Sequence, residues 1–231
     1  MPELALIPGL NNTAAVWDGV IPQLGAAVRC HAFDNLAADN LDAIADDWLA
    51  RLPPRFHLAG FSFGGYVALA MLAKAPERVA GIAMICTSPF ADIPGQVTAR
   101  EKSIATAREG GYRAMVAAQA SAAFHPDSLK DASLMARREA MVDAYGAERF
   151  VAHQRAALAR PDRTALLAAY PDPLLIVAAA GDNAFPLKIM QRLADAVPQA
   201  RFEIVERSGH LLPMERPGVL AEILNDWLGA R

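Results

Sequence analysis

The sequence contains few cysteines and no recognisable metal-binding spacing. Only two of its 231 residues are cysteine, and Cys30 and Cys86 both lie in apolar, strand-like runs. Neither follows a C-x-x-C or His/Cys ligand spacing, and the five histidines form no H-x-x-x-H pattern. We therefore expect two buried, reduced thiols, and we predict that the chain binds no metal and needs no other cofactor.

Clusters of positive charge and long apolar segments are also missing. The net charge of −3 and the lack of a Lys/Arg run exclude the basic surface expected of a nucleic-acid-binding protein. Even the apolar run Leu174–Ala180 is too short to cross a membrane. The N-terminus carries Glu3 where a signal peptide needs basic residues. We therefore expect a cytoplasmic protein, a monomer or homodimer, with no nucleic-acid or membrane partner.

What the sequence does have is apolar residues in short runs. They make up 54% of the chain, enough for a sizeable core in one domain. Six runs are apolar on both faces, which predicts a mostly parallel sheet with helices on both sides. These runs are Leu4–Ile7, Val28–Phe33, Phe56–Ala59, Val79–Cys86, Leu174–Ala179 and Phe202–Val205. The accompanying segments of helical spacing are Ala14–Leu24, Leu41–Leu52, Phe63–Ala75, Leu187–Ala196 and Val219–Leu228.

The alternation of strands and helices is interrupted between about Ser88 and Tyr170. No strand-like run occurs there, and helical periodicity takes its place. The helical segments are Thr98–Glu109, Tyr112–Phe124, Leu129–Tyr145 and Glu148–Ala159. We therefore predict an α/β core formed by residues 1–87 and 171–231, with a helical cap, residues 88–170, inserted into it.

One serine lies where a predicted strand turns sharply into a helix. Ser62 is flanked by glycines two positions away on each side, Gly60 and Gly64. A serine on such a turn adopts a strained backbone that leaves no room for neighbouring side chains, which explains both glycines. The N-terminus of the following helix directs its N–H groups and positive dipole end toward this turn. The pattern predicts that Ser62 is a nucleophile.

A serine nucleophile needs a general base, and His210 is the best candidate among the histidines. His210 lies on a loop after the last predicted strand, at the sheet edge where catalytic groups gather in open α/β folds. His31 and His57 lie in or beside strands and are expected to be structural. His125 and His153 lie in the predicted cap, where solvent-exposed helix positions are the default interpretation.

The base in turn needs an acid that orients it, and three aspartates compete for this role. Asp182 follows the predicted strand Leu174–Ala179, in a position equivalent to that of His210 one strand later. Asp172 precedes its strand, at the wrong end of the sheet, and Asp34 comes too early in the chain. We therefore predict a triad of Ser62, His210 and Asp182.

The order Ser62, Asp182, His210 resembles that of the α/β-hydrolase family. The likeness covers nearly the whole chain and is closest to single-domain esterases, lactonases and haloperoxidases with a helical cap. It rests on the Gly60-Phe61-Ser62-Phe63-Gly64-Gly65 turn, on Asp182 with Pro186, and on Gly209-His210 followed by Glu215 and Pro217. The resemblance implies an oxyanion hole formed by the backbone N–H groups of Leu10 and Phe63.

Two features depart from the family pattern. The family's usual His-Gly after the first of these strands is replaced by Pro8-Gly9, which leaves the oxyanion hole without a supporting histidine. The two strands that usually open the family's sheet have no room before Leu4. We therefore expect a trimmed version of the fold.

The resemblance implies a serine hydrolase that cleaves a small carboxylic ester or lactone through an acyl-enzyme intermediate. Acyl transfer, C–C bond cleavage or a lyase reaction on the same triad remain alternatives, because the fold hosts many chemistries. A slowly turning-over ligand receptor is a further alternative.

We also expect the cap to supply a largely apolar acyl pocket. Its segments carry more apolar side chains than an isolated helical hairpin could bury. Examples are Ile104, Met115, Val116, Phe124, Leu134 and Met141. The alternative is that these apolar residues only attach the cap to the core and leave an open polar cleft. Trp17 and Trp48 are expected to belong to the core, since both have apolar neighbours at helical spacing.

Overall fold

The computed structural model describes residues 1–229, and within them it contains one sheet of six parallel strands in the order β2-β1-β3-β4-β5-β6. All five strand pairs are parallel, as the apolar runs predicted. The strands are β1 (Glu3–Ile7), β2 (Arg29–Ala32), β3 (Phe56–Phe61), β4 (Val79–Ile85), β5 (Leu174–Ala179) and β6 (Arg201–Val205). Because the strands are parallel, their carboxyl ends lie at one edge of the sheet.

Helices connect the strands and cover both faces. The helices are α1 (Leu41–Arg51), α2 (Phe63–Lys74), α3 (Pro94–Thr106), α4 (Tyr112–Ala118), α5 (Ala120–Ala123), α6 (Ala132–Tyr145), α7 (Ala147–Leu158), α8 (Thr164–Ala168), α9 (Leu187–Ala196), α10 (Leu212–Glu215) and α11 (Pro217–Leu228). Within residues 1–229, no helix has the length and apolarity needed to span a membrane.

The predicted helix over residues 14–24 is wrong. The structure has two short 3₁₀ helices there, Ala14–Trp17 and Ile21–Gln23. Gly19 favours other backbone conformations, and Pro22 lacks the N–H that a continuous α-helix would need, so the segment breaks between them.

The core lies on both faces of the sheet because successive side chains of each strand point to opposite sides. Ala5 and Ile7 pack with α1 and α2 in one apolar cluster. Leu4 and Leu6 pack with α11 in the other. Trp17 and Trp48 are fully buried in the core, as expected.

Between β4 and β5 the chain is helical, from α3 to α8. The predicted segment Thr98–Glu109 corresponds to α3 and a following π-helical turn, Ala107–Gly111, in which Gly110 has φ of 86°. Side chains of this region form their own apolar cluster, to which Tyr112, Tyr145 and Phe150 belong. We call the helical region from α3 to α8 the cap; the division of the chain into a core and a cap at residues 88–170 stays a prediction.

Candidate active site

Ser62 connects β3 directly to α2 and has a strained backbone with φ of 52° and ψ of −119°. Two hydrogen bonds hold this turn: the Ser62 N–H donates to the Ile85 carbonyl oxygen at 2.9 Å, and the Thr87 hydroxyl donates to the Ser62 carbonyl oxygen at 2.7 Å. A Cβ on Gly60 would lie 2.7 Å from the Gly64 carbonyl oxygen. The turn therefore needs glycine at these positions, as the sequence predicted.

The structure brings Ser62, His210 and Asp182 together at the carboxyl edge of the sheet. Nε2 of His210 lies 3.0 Å from the Ser62 hydroxyl oxygen, and Nδ1 lies 2.8 Å from an Asp182 carboxylate oxygen. With Nδ1 protonated, the ring donates to Asp182 and Nε2 can accept the serine proton. The three groups thus form a continuous hydrogen-bond chain suited to proton transfer.

Asp182 is buried, but its carboxylate remains ionised. Its second carboxylate oxygen accepts the backbone N–H groups of Ala184 and Phe185 at 2.7 and 2.9 Å. Burial alone would raise the pKa of Asp182, but His210 and these two N–H donors hold that pKa below its ordinary value. The carboxylate is therefore ionised at neutral pH and can orient the imidazole.

Glu215 holds the loop that carries His210. One of its carboxylate oxygens accepts the Gly209 N–H at 2.9 Å, and the other accepts the His125 N–H at 2.8 Å. A Cβ on Gly209 would lie 2.7 Å from the His125 nitrogen, so the loop packs closely against the segment before α6. The resemblance singled out Glu215, and this double acceptor role gives a physical reason for it.

Cys86 lies beside the triad, which the sequence did not predict. Cys86 is fully buried and free, as expected, whereas Cys30 is only partly buried, which corrects the expectation for that residue. The Cys86 sulfur lies within 4.8 Å of both Asp182 and His210 side-chain ligand atoms. Burial and the nearby Asp182 raise the pKa of the Cys86 thiol well above its ordinary value. A cysteine binds a metal as its thiolate, which the raised pKa of Cys86 disfavours, and His210 and Asp182 already bond to each other. The cluster of Cys86, Asp182 and His210 therefore fits a metal poorly.

The two residues expected to form the oxyanion hole, Leu10 and Phe63, both line the cavity next to Ser62. Phe63 begins α2, where backbone N–H groups have no acceptor within the helix and the dipole is positive. The turn that carries Leu10 is held by Asn35, whose side-chain amide donates to the Pro8 carbonyl oxygen at 2.9 Å.

The competing acids lie elsewhere. Asp34 accepts the Ala14 N–H at 2.7 Å and forms an ion pair with Arg149. Asp172 lies 4.0 Å from Arg55, and it precedes β5 rather than following it. Neither aspartate hydrogen-bonds to His210 within the described chain.

Ser62 opens into a cavity of about 480 Å³, and its cap side is more polar than expected. The cap contributes four polar side chains, Gln96, Arg100, Gln119 and Arg138, together with Ala122 and Ala123. The predicted apolar acyl pocket is therefore wrong in its lining. None of the six apolar cap residues named for it lines this cavity, and Phe124, Leu134 and Met141 belong to a core cluster. Val116 and Phe124 do line a neighbouring cavity of about 520 Å³, which shares Asn11, Gln119, Ala123 and Arg138 with the cavity at Ser62.

His153 connects the cap to the serine turn. It is fully buried, which corrects the expectation of a solvent-exposed helix position. Its ring stacks on Phe63 at 4.7 Å between centroids, and Nε2 donates to the Leu36 carbonyl oxygen at 2.8 Å. Nδ1 accepts a hydrogen bond from the Tyr145 hydroxyl. Burial lowers the pKa of His153 to about 4, so the ring is neutral at pH 7.

Arg138 and Arg100 line the same cavity in different electrostatic settings. Arg100 forms an ion pair with Asp92 at 2.6 Å and donates to Gln154 at 2.6 Å. Arg138 donates to the Asn11 carbonyl oxygen at 2.6 Å and to the Asn12 side-chain oxygen at 2.8 Å. The sequence did not distinguish these arginines, because the partners of Arg138 lie more than a hundred positions earlier in the chain.

Comparison with known proteins agrees with the fold. A family model described as the alpha/beta hydrolase family matches residues 4–223. A pimeloyl-[acyl-carrier protein] methyl ester esterase of Aromatoleum aromaticum is 28% identical over 97% of both chains. The enzyme of the same name from Nitrosomonas europaea is 33% identical over 96 residues, which span only 38% of either chain.

A solved structure shows the same fold. The thermophilic esterase from Thermogutta terrifontis superposes with a TM-score of 0.92, at 24% sequence identity, over 99% of this chain and 90% of that one. The likeness therefore extends over the sheet and over the helical region between β4 and β5.

Proposed function

The chain belongs to the alpha/beta hydrolase family, and from this membership we propose that it hydrolyses a small carboxylic ester or lactone through an acyl-enzyme intermediate on Ser62. The observation that carries the proposal is the hydrogen-bond chain from Ser62 through His210 to Asp182, which opens into a cavity. Ser62 has a strained backbone and lies at the end of this series of hydrogen bonds, so its hydroxyl is placed for attack on a carbonyl carbon.

In the first half of the reaction, the Ser62 oxygen attacks the ester carbonyl carbon while its proton passes to Nε2 of His210. The bond from the carbonyl carbon to the alcohol oxygen then breaks, and His210 returns the proton to the departing alcohol. Asp182 stabilises the imidazolium that exists between these two steps, because its carboxylate is held ionised by three donors.

In the second half, water attacks the acyl group on Ser62 and gives its proton to His210, which passes it back to the serine oxygen. The backbone N–H groups of Leu10 and Phe63 stabilise the negative oxygen in both halves. Residues 88–170 act as a cap that closes the cavity from the other side.

The relatives support an ester as the substrate. The Aromatoleum relative, aligned over its full length, is a methyl ester esterase, and the Thermogutta neighbour is also an esterase. Both names describe hydrolysis of an ester bond, which is the reaction that the hydrogen-bond chain around Ser62 suits.

The test is hydrolysis of p-nitrophenyl acetate and γ-butyrolactone by the wild type and by Ser62→Ala. We expect the substitution to reduce kcat by about 10⁴-fold or more, because the nucleophile is lost. The melting temperature should change little, since the hydroxyl faces the cavity. Ser133→Ala, an exposed serine on α6, is the matched control.

Two results would contradict the proposal. A Ser62→Ala variant that keeps activity within tenfold of wild type would exclude the nucleophile role. A wild type that binds these compounds tightly but turns over less than about once per minute would favour the receptor alternative.

A further inference from the structure

Arg138 is a mostly buried cation on the cavity wall with unused hydrogen-bond donors. A guanidinium has five N–H donors, and Arg138 uses only Nη1, toward Asn11 and Asn12. Within residues 1–229, Nε and Nη2 of Arg138 have no hydrogen-bond partner. Burial lowers the pKa of Arg138 to about 10, so the side chain is still charged at neutral pH.

No negative charge of the described chain balances this cation. The ionisable groups that act on Arg138 are the phenols of Tyr112 and Tyr145. Burial raises the pKa of Tyr112 to about 12 and that of Tyr145 well above its ordinary value, so both phenols are neutral. Within the described part of the chain, no Asp or Glu lines the cavity at Ser62. A neighbouring cavity that Arg138 also lines includes Glu139 and Asp143, but neither of these acids pairs with Arg138.

The second arginine on the cavity wall, Arg100, is instead tied to the protein by an ion pair. Arg100 bonds to Asp92 through Nε and to Gln154 through Nη1. Asp92 also pairs with Arg160 at 2.6 Å, and its side chain is almost completely buried. This network fixes Arg100 to the protein, whereas Arg138 retains free donors beside the candidate nucleophile's cavity.

We infer that Arg138 binds a carboxylate of the substrate, and that the preferred substrates are therefore monoesters of dicarboxylic acids. A partly desolvated charge without a counterion is stabilised by an anion, and a carboxylate can accept two parallel N–H bonds from one guanidinium. Such an acid group would use the free donors and balance the charge. The inference rests on the proposed esterase function for its substrate class, although the binding step itself needs no turnover.

A purely structural role for Arg138 is the competing explanation. The two bonds of Nη1 to Asn11 and Asn12 tie α6 to the turn that follows Leu10, and this tie would affect every substrate equally. Carboxylate binding instead affects only substrates that carry the acid. The two roles are therefore separated by comparing an acidic ester with a neutral ester of the same length.

The first experiment measures kcat/KM for monomethyl and dimethyl succinate, glutarate and adipate by pH-stat titration. Each dimethyl ester has two cleavable bonds, so its kcat/KM is divided by two. We then expect the kcat/KM of the wild type for the best monomethyl ester to exceed that for the dimethyl ester of the same acid by roughly 10- to 100-fold. Arg138→Gln should reduce this preference to less than about threefold. Arg113→Gln, which removes an exposed arginine paired with Asp143, is the control and should keep the preference.

The inference is overturned if the wild type shows no preference for the monoesters or if the preference survives in Arg138→Gln. A uniform loss on both ester types would assign Arg138 the structural role. Should Arg138→Gln fail to fold, Arg138→Lys serves instead. It keeps the charge but not the paired donors, and it should lower the preference several-fold.

The second experiment separates this inference from the proposed function. Calorimetry on Ser62→Ala compares the dianions of succinic, glutaric and adipic acid with the corresponding diamides. We expect at least tenfold tighter binding of the best diacid over its diamide, and loss of this difference in the Ser62→Ala/Arg138→Gln double variant. Diacid binding without ester hydrolysis by the wild type would defeat the proposed function alone. Ester hydrolysis without diacid binding would defeat this inference alone.

Discussion

The two walls of the cavity are built by different means. On the sheet side, Ser62, Asp182 and His210 each follow a strand, so the parallel topology alone brings them to one edge. On the cap side, Arg138 in the wall and His153, buried behind it against Phe63, are placed by side-chain contacts to residues more than a hundred positions earlier. Backbone topology thus sets the chemistry, and long-range side-chain contacts set the character of the opposing wall.

The largest effect that we expect is a loss of kcat caused by a substitution on the sheet side. Asp182→Asn keeps the size of the side chain but removes the charge and can bind the wrong tautomer of His210. We expect kcat to fall by about 10³- to 10⁴-fold. Asp172→Asn, the competing aspartate at the opposite end of β5, is the matched control and should change kcat less than twofold.

Ester hydrolysis by both variants, with melting temperatures measured alongside, checks this prediction. If Asp172→Asn is the damaging change, or if both variants are equally active, then the strand topology does not determine which aspartate orients His210.

The sheet side could be predicted from the sequence because its signals are local. Short apolar runs predicted all six strands, and the two glycines around Ser62 predicted the sharp turn. Apolar spacing did not reveal the break near Gly19 and Pro22, because the helix-breaking effect of these two residues is not part of the apolar pattern. Cys86 was placed correctly in the interior, but its distance from Asp182 depends on how two neighbouring strands end.

The second prediction compares a glycine of the serine turn with a glycine of α3. A Cβ on Gly64 would lie 2.2 Å from the Ile7 carbonyl oxygen, and backbone atoms cannot move away easily. We expect Gly64→Ala to lower the free energy of unfolding by about 3 kcal/mol or more. Gly95 in α3 has no neighbouring atom within 4 Å of such a Cβ, so Gly95→Ala should be neutral or stabilise by up to about 1 kcal/mol.

Urea unfolding of the two variants measures both effects. Equal effects of the two substitutions would show that the serine turn is not tightly packed against β1, and the description of that turn would be wrong.

The third and smallest effect tests the cap side through pH. Burial, supported by nearby Arg149, lowers the pKa of His153 to about 4, against an ordinary value near 6.5. The folded state then binds fewer protons than the unfolded state, so the stability from this group is complete above pH 6.5 and declines as the pH falls toward 4. Between pH 7 and pH 4.5 the loss should be about 2 to 3 kcal/mol.

His153→Gln provides the comparison, because glutamine can bond to Leu36 and Tyr145 but does not titrate. The stability of the wild type relative to this variant should fall by about 2 to 3 kcal/mol over the same pH range in urea unfolding experiments. A constant difference between pH 7 and pH 4.5 would mean that His153 is not held neutral by burial.

The cap side could not be predicted because its signals are not local. Helical periodicity located α6 and α7 but did not show which polar side chain of a helix meets the core. His153 has the sequence environment of an exposed position, and only the contacts with Leu36 and Phe63 reveal that it is buried. Most apolar residues of the cap are buried, as expected, but they pack in apolar clusters or line the neighbouring cavity rather than the cavity at Ser62.

The central claim, that Ser62 is the nucleophile, is tested most directly by covalent labelling. Paraoxon transfers a diethylphosphoryl group to an activated serine and releases p-nitrophenol. Mass spectrometry of the wild type should show one such group per chain, mapped to the peptide containing Ser62, with ester hydrolysis lost in proportion to labelling. Ser62→Ala should remain unlabelled. Labelling of another residue, or full inactivation without modification of Ser62, would contradict the account.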